Sequence, residues 1–570
     1  MKDISRRDFL KAAGKGAAGA AGLSLVGRVG LSLAEDNSLS NPIYNQPASW
    51  DYETDVVTIG TGTSMYGVIK MAHAGLDVIA VDAFPVAGGS AAFSGGVLWL
   101  PNCKYSVERG DSREKAYDYV KQGAGSGYTT DELIYAFIDN TQPMIDYIDS
   151  ALMKTSYKMA SSMSKYPDYH PHWRNGMEYG RSILWTPSGE TDAERAPSAT
   201  ATDAVAIWAD SYIEAAKMYG AKIMTSTKMT KFVWRNNEAG IPEVLGVICE
   251  QDKKEIAIKA RKAVLFAPGG FEWNFDMQKA FLAIPESYPC STSTNDGTAL
   301  KAAMALSPML NNMANQFGHV SYKVKAKEQF EMKAPCNYQW NRHKPHSICV
   351  NKHGDRFFDE ACDYPTAQKQ FFDWDSTGDP GVRNLPAWLI CDQQMVDAGF
   401  HVGRYMGDLD ERGVPPYFLK ANTLEEMADK CGINKERLLK TVERFNGFVE
   451  KGHDDDFNRG DTYFDQSFMA DTSKEGVYRT LGSLEKGPFY AGELTPSTLG
   501  TCGGPLINGK AQVVHVSGQP VKRLYGCGNA TGFGGPGQGY GGAGGTLGVG
   551  FTMGYVAGCS IVEEETANWE

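Results

Sequence analysis

Residues 55–82 restrict how this chain can begin to fold. Asp55-Val56-Val57-Thr58-Ile59 reads as a strand buried on both faces, and it stops at Gly60-Thr61-Gly62-Thr63-Ser64-Met65-Tyr66-Gly67. Helical spacing follows through Lys70, Met71 and Ala72 to Gly75. Asp77–Val81 then reads as a second strand that closes on Asp82. Strand, glycine turn, helix and strand make a βαβ unit, whose two strands lie parallel. Gly60 and Gly62, with Thr63 and Ser64, let backbone and helix N-terminus meet a pyrophosphate, and an acid such as Asp82 takes ribose hydroxyls. Met65 stands where a third glycine is usual, so looser strand–helix packing is expected there.

A second small-residue loop lies just beyond that acid, from Ala87 to Pro101. It carries Gly88, Gly89, Ser90, Ser94, Gly95 and Gly96. A loop so close to the ribose acid suits a flavin nucleotide better than a nicotinamide one, because it can line the longer cofactor. It holds no histidine, so a non-covalent FAD is expected. Residues 111 to about 225 read as mainly helical and polar. Val244–Cys249 and Glu255–Ile258 read as a hairpin, and Ala263–Phe271 as a further buried strand that returns through Gly269 and Gly270 to the cofactor.

The densest glycine stretch is Leu524–Val556. Eleven of the residues from Gly526 to Gly545 are glycine, which lets backbone approach a ligand closely. The strand Leu524-Tyr525-Gly526 leads to Gly528-Asn529, and helical spacing resumes at Thr546–Ala557 with Leu547 inside it. The start of such a helix directs N–H groups and positive dipole into the loop. Tyr540 stands in this loop as a large side chain, four residues before Gly544. A flavin edge and a ketone are expected to meet between them.

The N-terminus has a different character. Ser5-Arg6-Arg7-Asp8-Phe9-Leu10-Lys11, a mildly apolar stretch and Ser32-Leu33-Ala34 make residues 1–34 a twin-arginine signal peptide in pattern. Export to the periplasm or beyond, after cofactor insertion, is the expectation. Net charge is −12 for the 570 residues; without the leader it becomes −16, from 50 positive and 66 negative side chains. That balance argues against nucleic acid, which needs a basic footprint. No later run reaches the roughly 18 apolar residues of a spanning helix, so no integral membrane span is expected. The eleven cysteines are scattered without a CxxC pair, which excludes an obvious zinc ribbon, cluster or c-type haem site. His170 and His172 sit in the aromatic run Lys165–Trp173 without a nearby carboxylate pair. No metal is expected.

These motifs together resemble the 3-ketosteroid Δ1-dehydrogenase branch of the fumarate-reductase-like flavoproteins. The likeness runs over about residues 53–560. It includes Gly269-Gly270-Phe271-Glu272, Val350–Phe357, and Glu485–Tyr490 through Gly500-Thr501-Cys502-Gly503-Gly504. It implies an α/β fold: a Rossmann-like FAD-binding domain of the glutathione-reductase type with an inserted α+β catalytic or capping domain. The boundaries implied are 35–319 and 487–570 for the two FAD-binding parts and 320–486 for the insertion. The branch's active site falls on the Tyr-x-x-x-Gly pair Tyr540 and Gly544, on Tyr364 after Arg356-Phe357-Phe358-Asp359-Glu360, and on Tyr169 in Tyr166-Pro167-Asp168-Tyr169, with Tyr166 as the alternative. The cofactor contacts implied include Gly60, Gly62, Asp82, Asn529, Gly544, Thr546 and Leu547.

The resemblance implies 1,2-desaturation of an apolar, 3-ketosteroid-like ketone, with α-proton abstraction by tyrosine and hydride transfer to flavin N5. Electrons would pass to an external acceptor, a quinone or a redox protein. The alternatives are 4,5-desaturation, or reduction of an enone or unsaturated acid. Arg404 in His401-Val402-Gly403-Arg404 is the candidate proton donor for an acid reductase. A flavin carrier without its own substrate is the remaining, non-enzymatic reading.

Overall fold

The computed structural model describes residues 42–124, 129–152, 160–163, 166–186, 207–282, 284, 286–336, 339–401, 409–535 and 539–567. The expected leader, Lys165, Arg404 and the tip of the glycine loop at 536–538 lie outside the described residues.

The first sheet grows around β1 (Tyr52–Ile59), where Val56 and Val57 are wholly buried. After β1 come α1 (Met65–His73) and β2 (Val78–Val81), which pairs parallel to β1 with Val56 opposite Val78. β3 (Val97–Trp99) leaves this sheet and joins a small antiparallel one. β4 (Lys222–Met224) then extends the sheet beyond β2. β5 (Thr227–Asn236), β6 (Pro242–Gln251) and β7 (Lys254–Phe266) form a meander, and β7 runs parallel to β1 on its other side. The hairpin strand and the later buried strand expected from sequence are thus one thirteen-residue strand ending at Phe266. The polar interruption Lys259–Lys262 that divided it in the sequence does not end the strand; it coincides with a register shift between the Thr54–Ala260 and Val56–Ala263 pairings to β1.

The second sheet has six strands. Into it go β8 (Tyr288–Pro289), β9 (Gln316–Tyr322), β10 (Ser347–Val350), β11 (Ala387–Asp392) and β12 (Leu419–Ala421), all but β10 against the long β13 (Phe489–Thr501). The short helix α2 (Tyr364–Lys369) packs beside β9. The chain then returns to the first sheet through β14 (Gln512–Val514) and β15 (Pro520–Gly526), where Leu524 pairs parallel to Val264. The last element is α3 (Gly545–Val562).

α3 is long and apolar enough to cross a membrane. Here it lies inside the fold, against α1 and β3. Its glycines explain how. A Cβ on Gly67 of α1 would stand 2.3 Å from the Gly554 carbonyl oxygen, and one on Gly558 would stand 2.8 Å from the Gly67 Cα. The close approach expected at a third fingerprint glycine therefore falls two residues later, and Met65 fills the core with no exposure.

The glycine-dense loop also departs from expectation. Most of its glycines face protein rather than ligand: built Cβ atoms on Gly541 and Gly542 would lie 2.6 Å from Trp99, and one on Gly539 2.6 Å from the Gly123 carbonyl. The loop lies flat on β3. The region 111–225 likewise contains strands, Ala160–Met163 and Ser182–Thr186, which build out from β3.

Candidate active site

One cavity of about 420 Å³ runs from the fingerprint turn to a group of tyrosines. Strand ends supply its floor, because β1, β2 and β7 are parallel and all deliver their C-termini to the same edge. Gly60, Gly62, Thr63, Asp82, Gly89, Ser90, Ser94, Gly95, Gly269, Gly270, Asn529, Gly544, Thr546 and Leu547 line it. Ser64, Gly88 and Gly96, also expected to bind cofactor, do not line it; they hold the turns that do. The Ser64 hydroxyl donates to the Gly60 carbonyl at 2.6 Å, the Gly88 amide to Thr61 Oγ1 at 2.8 Å, and the Gly96 amide to Ser94 Oγ at 3.1 Å.

Asp82 is buried at the edge of the cavity. It accepts from the Thr61 amide at 3.0 Å, from the Thr61 hydroxyl, and from the Phe84 amide at 2.8 Å. Burial raises its carboxyl pKa, against the pull of the Thr61 and Phe84 hydrogen bonds. The acid thus shapes the turn as well as facing the ribose position.

The cavity's fit to a dinucleotide rests on its glycines. A Cβ on Gly62 would meet no protein atom closer than 3.6 Å, and one on Gly95 nothing within 4 Å. At these two lining positions the space beside the backbone is open, so a ligand can approach it closely. The Gly62 and Thr63 amides, at the N-terminus of α1, meet no protein acceptor among the described residues. Unused N–H groups at a helix start are what a pyrophosphate needs.

At the other end Tyr169, Tyr364 and Tyr540 converge. Their ring centroids are 5.1 Å apart for Tyr169–Tyr364, 5.6 Å for Tyr169–Tyr540 and 6.0 Å for Tyr364–Tyr540. The Tyr364 side chain lies close enough to Tyr169 and Tyr540 to oppose the rise in both their pKa values, while the buried Tyr169 hydroxyl meets no hydrogen-bond partner among the described residues. Tyr166, the alternative, packs on Phe468 at 5.7 Å and belongs to the cavity wall. Burial, then the neighbouring Tyr540, pushes Tyr169 well above an ordinary tyrosine pKa, so it stays protonated and can donate. Burial also raises Tyr540, with hydrogen bonds from the Thr546 side chain and backbone pulling the other way. Tyr540 Oη and Thr546 Oγ1 are 3.3 Å apart.

Each tyrosine is held by local chemistry. Asp363 caps α2 by accepting from the Thr366 amide at 2.9 Å, which places Tyr364 at the helix start. Glu360, three residues before that cap, pairs with Arg356 at 2.6 Å and Arg459 at 3.2 Å. Burial would raise the Glu360 carboxyl, but Arg356 and Arg459 hold it below its ordinary value. Tyr169 is fixed by its neighbour Asp168, which accepts from Trp99 Nε1 at 2.9 Å and from Arg181 at 2.5 Å. Asp111 grips the far side of the same wholly buried guanidinium at 2.6 Å. Gly544 has φ +87°, and a Cβ there would lie 2.2 Å from the Val97 carbonyl oxygen. Its amide has no protein acceptor among the described residues.

Sequence reading missed several of these supports. Asp168 stood in a quoted motif, but nothing local marks Arg181 or Asp111 as its partners. Trp340, Phe468 and Met469, which complete the wall around the tyrosines, carried no signal either. His170 and His172 proved to belong to the aromatic loop: His170 stacks on Trp173 at 3.9 Å.

Parallel strand ends, a glycine-lined trough and unused helix-start amides define a flavin nucleotide-binding protein. The chain matches the FAD binding domain family over residues 55–547, and it belongs to that family. It is an FAD-dependent oxidoreductase acting on CH–CH groups.

Among its relatives, 4-oxocyclohexanecarboxylate 2-dehydrogenase of Sinomonas cyclohexanicum is 30% identical, with 89% of this chain and 92% of that protein covered. The 3-oxosteroid 1-dehydrogenase of Mycolicibacterium smegmatis is 28% identical over 90% of this chain and 98% of the relative. Among solved structures, 3-ketosteroid Δ1-dehydrogenase from Sterolibacterium denitrificans, in complex with 1,4-androstadiene-3,17-dione, superposes with a TM-score of 0.78. It is 22% identical and covers 90% of this chain and 100% of its own. The α/β FAD-binding architecture is shared with it.

Proposed function

We propose that the chain desaturates a neutral ring ketone between the carbons α and β to its carbonyl, with a 3-ketosteroid as the substrate class. The observation that carries this is the meeting of three tyrosines with the open Gly544 amide on one cavity wall. By their names, the Sinomonas and Mycolicibacterium relatives both oxidise a ring at the position β to an oxo group. The shared chemistry is therefore α,β-desaturation, and the two differ in what the ring carries.

An α-proton is too weakly acidic to leave unless charge on the carbonyl oxygen is stabilised. The Tyr540 hydroxyl and Gly544 amide form that oxyanion site, and one such donor is worth about 3 kcal/mol. Thr546 hydrogen-bonds Tyr540, which fixes the direction in which its O–H points. Tyr364 takes the proton, and Tyr169 stabilises the phenolate by donating to it. FAD supplies the hydride acceptor. Gly60, Gly62, Thr63 and Asp82 hold its dinucleotide end, and Ser90, Gly95, Gly269, Asn529 and Leu547 line the trough between. No histidine is among the described lining residues, which supports non-covalent binding.

The wall around the tyrosines favours a neutral substrate. Tyr166, Trp340, Phe468 and Met469 enclose that end. The lining cation Lys228 pairs with Asp296 at 2.5 Å, so it is engaged rather than waiting for a carboxylate. Electrons would leave to a separate quinone or redox protein. The twin-arginine pattern at Arg6 and Arg7 supports an extracytoplasmic site of action.

The test is anaerobic mixing of flavin-loaded protein with a 3-keto-4-ene steroid and, separately, with 4-oxocyclohexanecarboxylate. Visible absorbance reports the flavin, and mass and NMR identify the product. Bleaching by the steroid with a 1,4-diene product is expected. Bleaching only by the carboxylate would move the substrate class to small ring acids. No bleaching by either, with reoxidation of reduced flavin by an enone or unsaturated acid, would make the protein a reductase.

A further inference from the structure

Two cysteines far apart in sequence meet at the cavity wall. Cys290 Sγ and Cys336 Sγ are 2.9 Å apart across 46 residues of chain, closer than two unbonded sulfurs rest. Their backbones are held together as well. The Cys336 amide donates to the Pro289 carbonyl at 2.9 Å, and the Cys290 amide to the Thr498 carbonyl at 2.7 Å. Cys290 lines the cavity and Cys336 lies buried behind it.

Behind Cys290 stands a histidine. His319 Nε2 is 3.1 Å from Cys290 Sγ. The other ring nitrogen, Nδ1, faces Ser497 Oγ at 2.8 Å and the Val320 carbonyl at 3.3 Å. A carbonyl can only accept, and the Ser497 hydroxyl donates its own hydrogen to the His319 carbonyl at 2.9 Å. The proton of neutral His319 therefore sits on Nδ1, and Nε2 presents its lone pair to the Cys290 thiol. Burial keeps His319 neutral and both members of the dyad uncharged at rest. The imidazole also packs near the proposed base, with its centroid 6.5 Å from that of Tyr364.

We propose that Cys290 and Cys336 are a thiol–disulfide exchange site opening on the ketone cavity, with Cys290 the attacking thiol, His319 its base and Cys336 the resolving thiol. The reagent class is a small organic disulfide. His319 Nε2 takes the Cys290 proton as the sulfur attacks, and the reagent's S–S bond breaks to release one thiolate, which collects that proton. Cys336 then loses its proton, attacks Cys290 sulfur in the mixed disulfide and expels the second thiol. The pair loses two electrons and two protons, and the reagent gains both. The new bond would tie the segment leading to Trp340 onto β8 and remove the thiol hydrogen bond to His319. The ketone pocket would then differ between the two redox states. The export expected from the leader would deliver the folded dithiol to an oxidising compartment.

The test uses FAD-loaded full-length protein and 2,2′-dithiodipyridine, whose released thiopyridone is read by absorbance, with peptide mapping by mass. A Cys290–Cys336 cross-link is expected, reversed by dithiothreitol and slowed at least several-fold when a 1,4-diene-3-one fills the cavity. In Cys336→Ala the mapping should find a retained pyridylthio adduct on Cys290, and the ketone kinetics of the reduced variant should match those of reduced wild type. Free Cys290 and Cys336 under excess reagent would overturn the proposal, as would cross-linking at the same rate in His319→Gln. Because the mapping uses no turnover, its outcome is independent of which ketone is oxidised.

Discussion

Tyr540 and Thr546 approach to 3.3 Å on the cavity wall, and Gly544 lines the same cavity. If Tyr540 stabilises the carbonyl charge, Tyr540→Phe removes one donor and leaves the wall's shape. Anaerobic single-turnover bleaching should then slow by about 10²–10³-fold, with FAD content unchanged. A carrier without its own substrate would show no such loss. Tyr364→Phe tests the base: bleaching should fall to the detection limit while a 1,4-diene ketone still perturbs the flavin spectrum on binding. Retained bleaching would move proton abstraction to another group. All three tyrosines were legible through the family resemblance, which fixes their place in quoted motifs; the arginine clamp on Glu360 and the Asp363 cap that hold Tyr364 emerged only in the structure. Trp340 and Phe468 were not legible, since their approach depends on how the second sheet turns back on the first, and no local pattern records that.

At the scale of elements, the fingerprint helix and the last helix share one close crossing, where Gly67 faces Gly554. Gly554→Val inserts three carbons into space occupied by Thr63 and Ser64. Overpacking of this kind costs about 1–3 kcal/mol. It also pushes the fingerprint turn out of register with the pyrophosphate. The expected result is a lower melting temperature and weaker FAD binding together, measured by calorimetry and flavin titration. A loss of stability with unchanged FAD affinity would show that the turn is held independently of the crossing. The strand–turn–helix–strand unit was readable because its period changes and its glycines fall within one short span. The role of the later glycine loop was not. Composition reports that backbone must approach something closely, and here it is mostly Trp99 and Gly123 rather than a ligand.

Across the whole molecule, the cavity is lined from segments scattered between Ile59 and Leu547. The ends of β1, β2 and β7, the loop before β3 and the start of α3 all face it. The trough between them is faced by the Gly62, Thr63 and Gly544 amides, which have no protein acceptors among the described residues. A flavin bound there satisfies donors from both ends of the chain at once. Ligand that binds only the folded state adds RT ln(1 + [L]/Kd), about 2.7 kcal/mol at a hundredfold excess over Kd. Removing FAD should therefore lower the melting temperature, and titrating it back should raise that temperature with the logarithm of FAD concentration. Gly95→Val supplies the control, because its Cβ meets no protein atom within 4 Å and points where the flavin would run. The variant without FAD should melt with deflavinated wild type, yet gain little when FAD is added. If it gained as much as wild type, the trough would not be where the flavin lies.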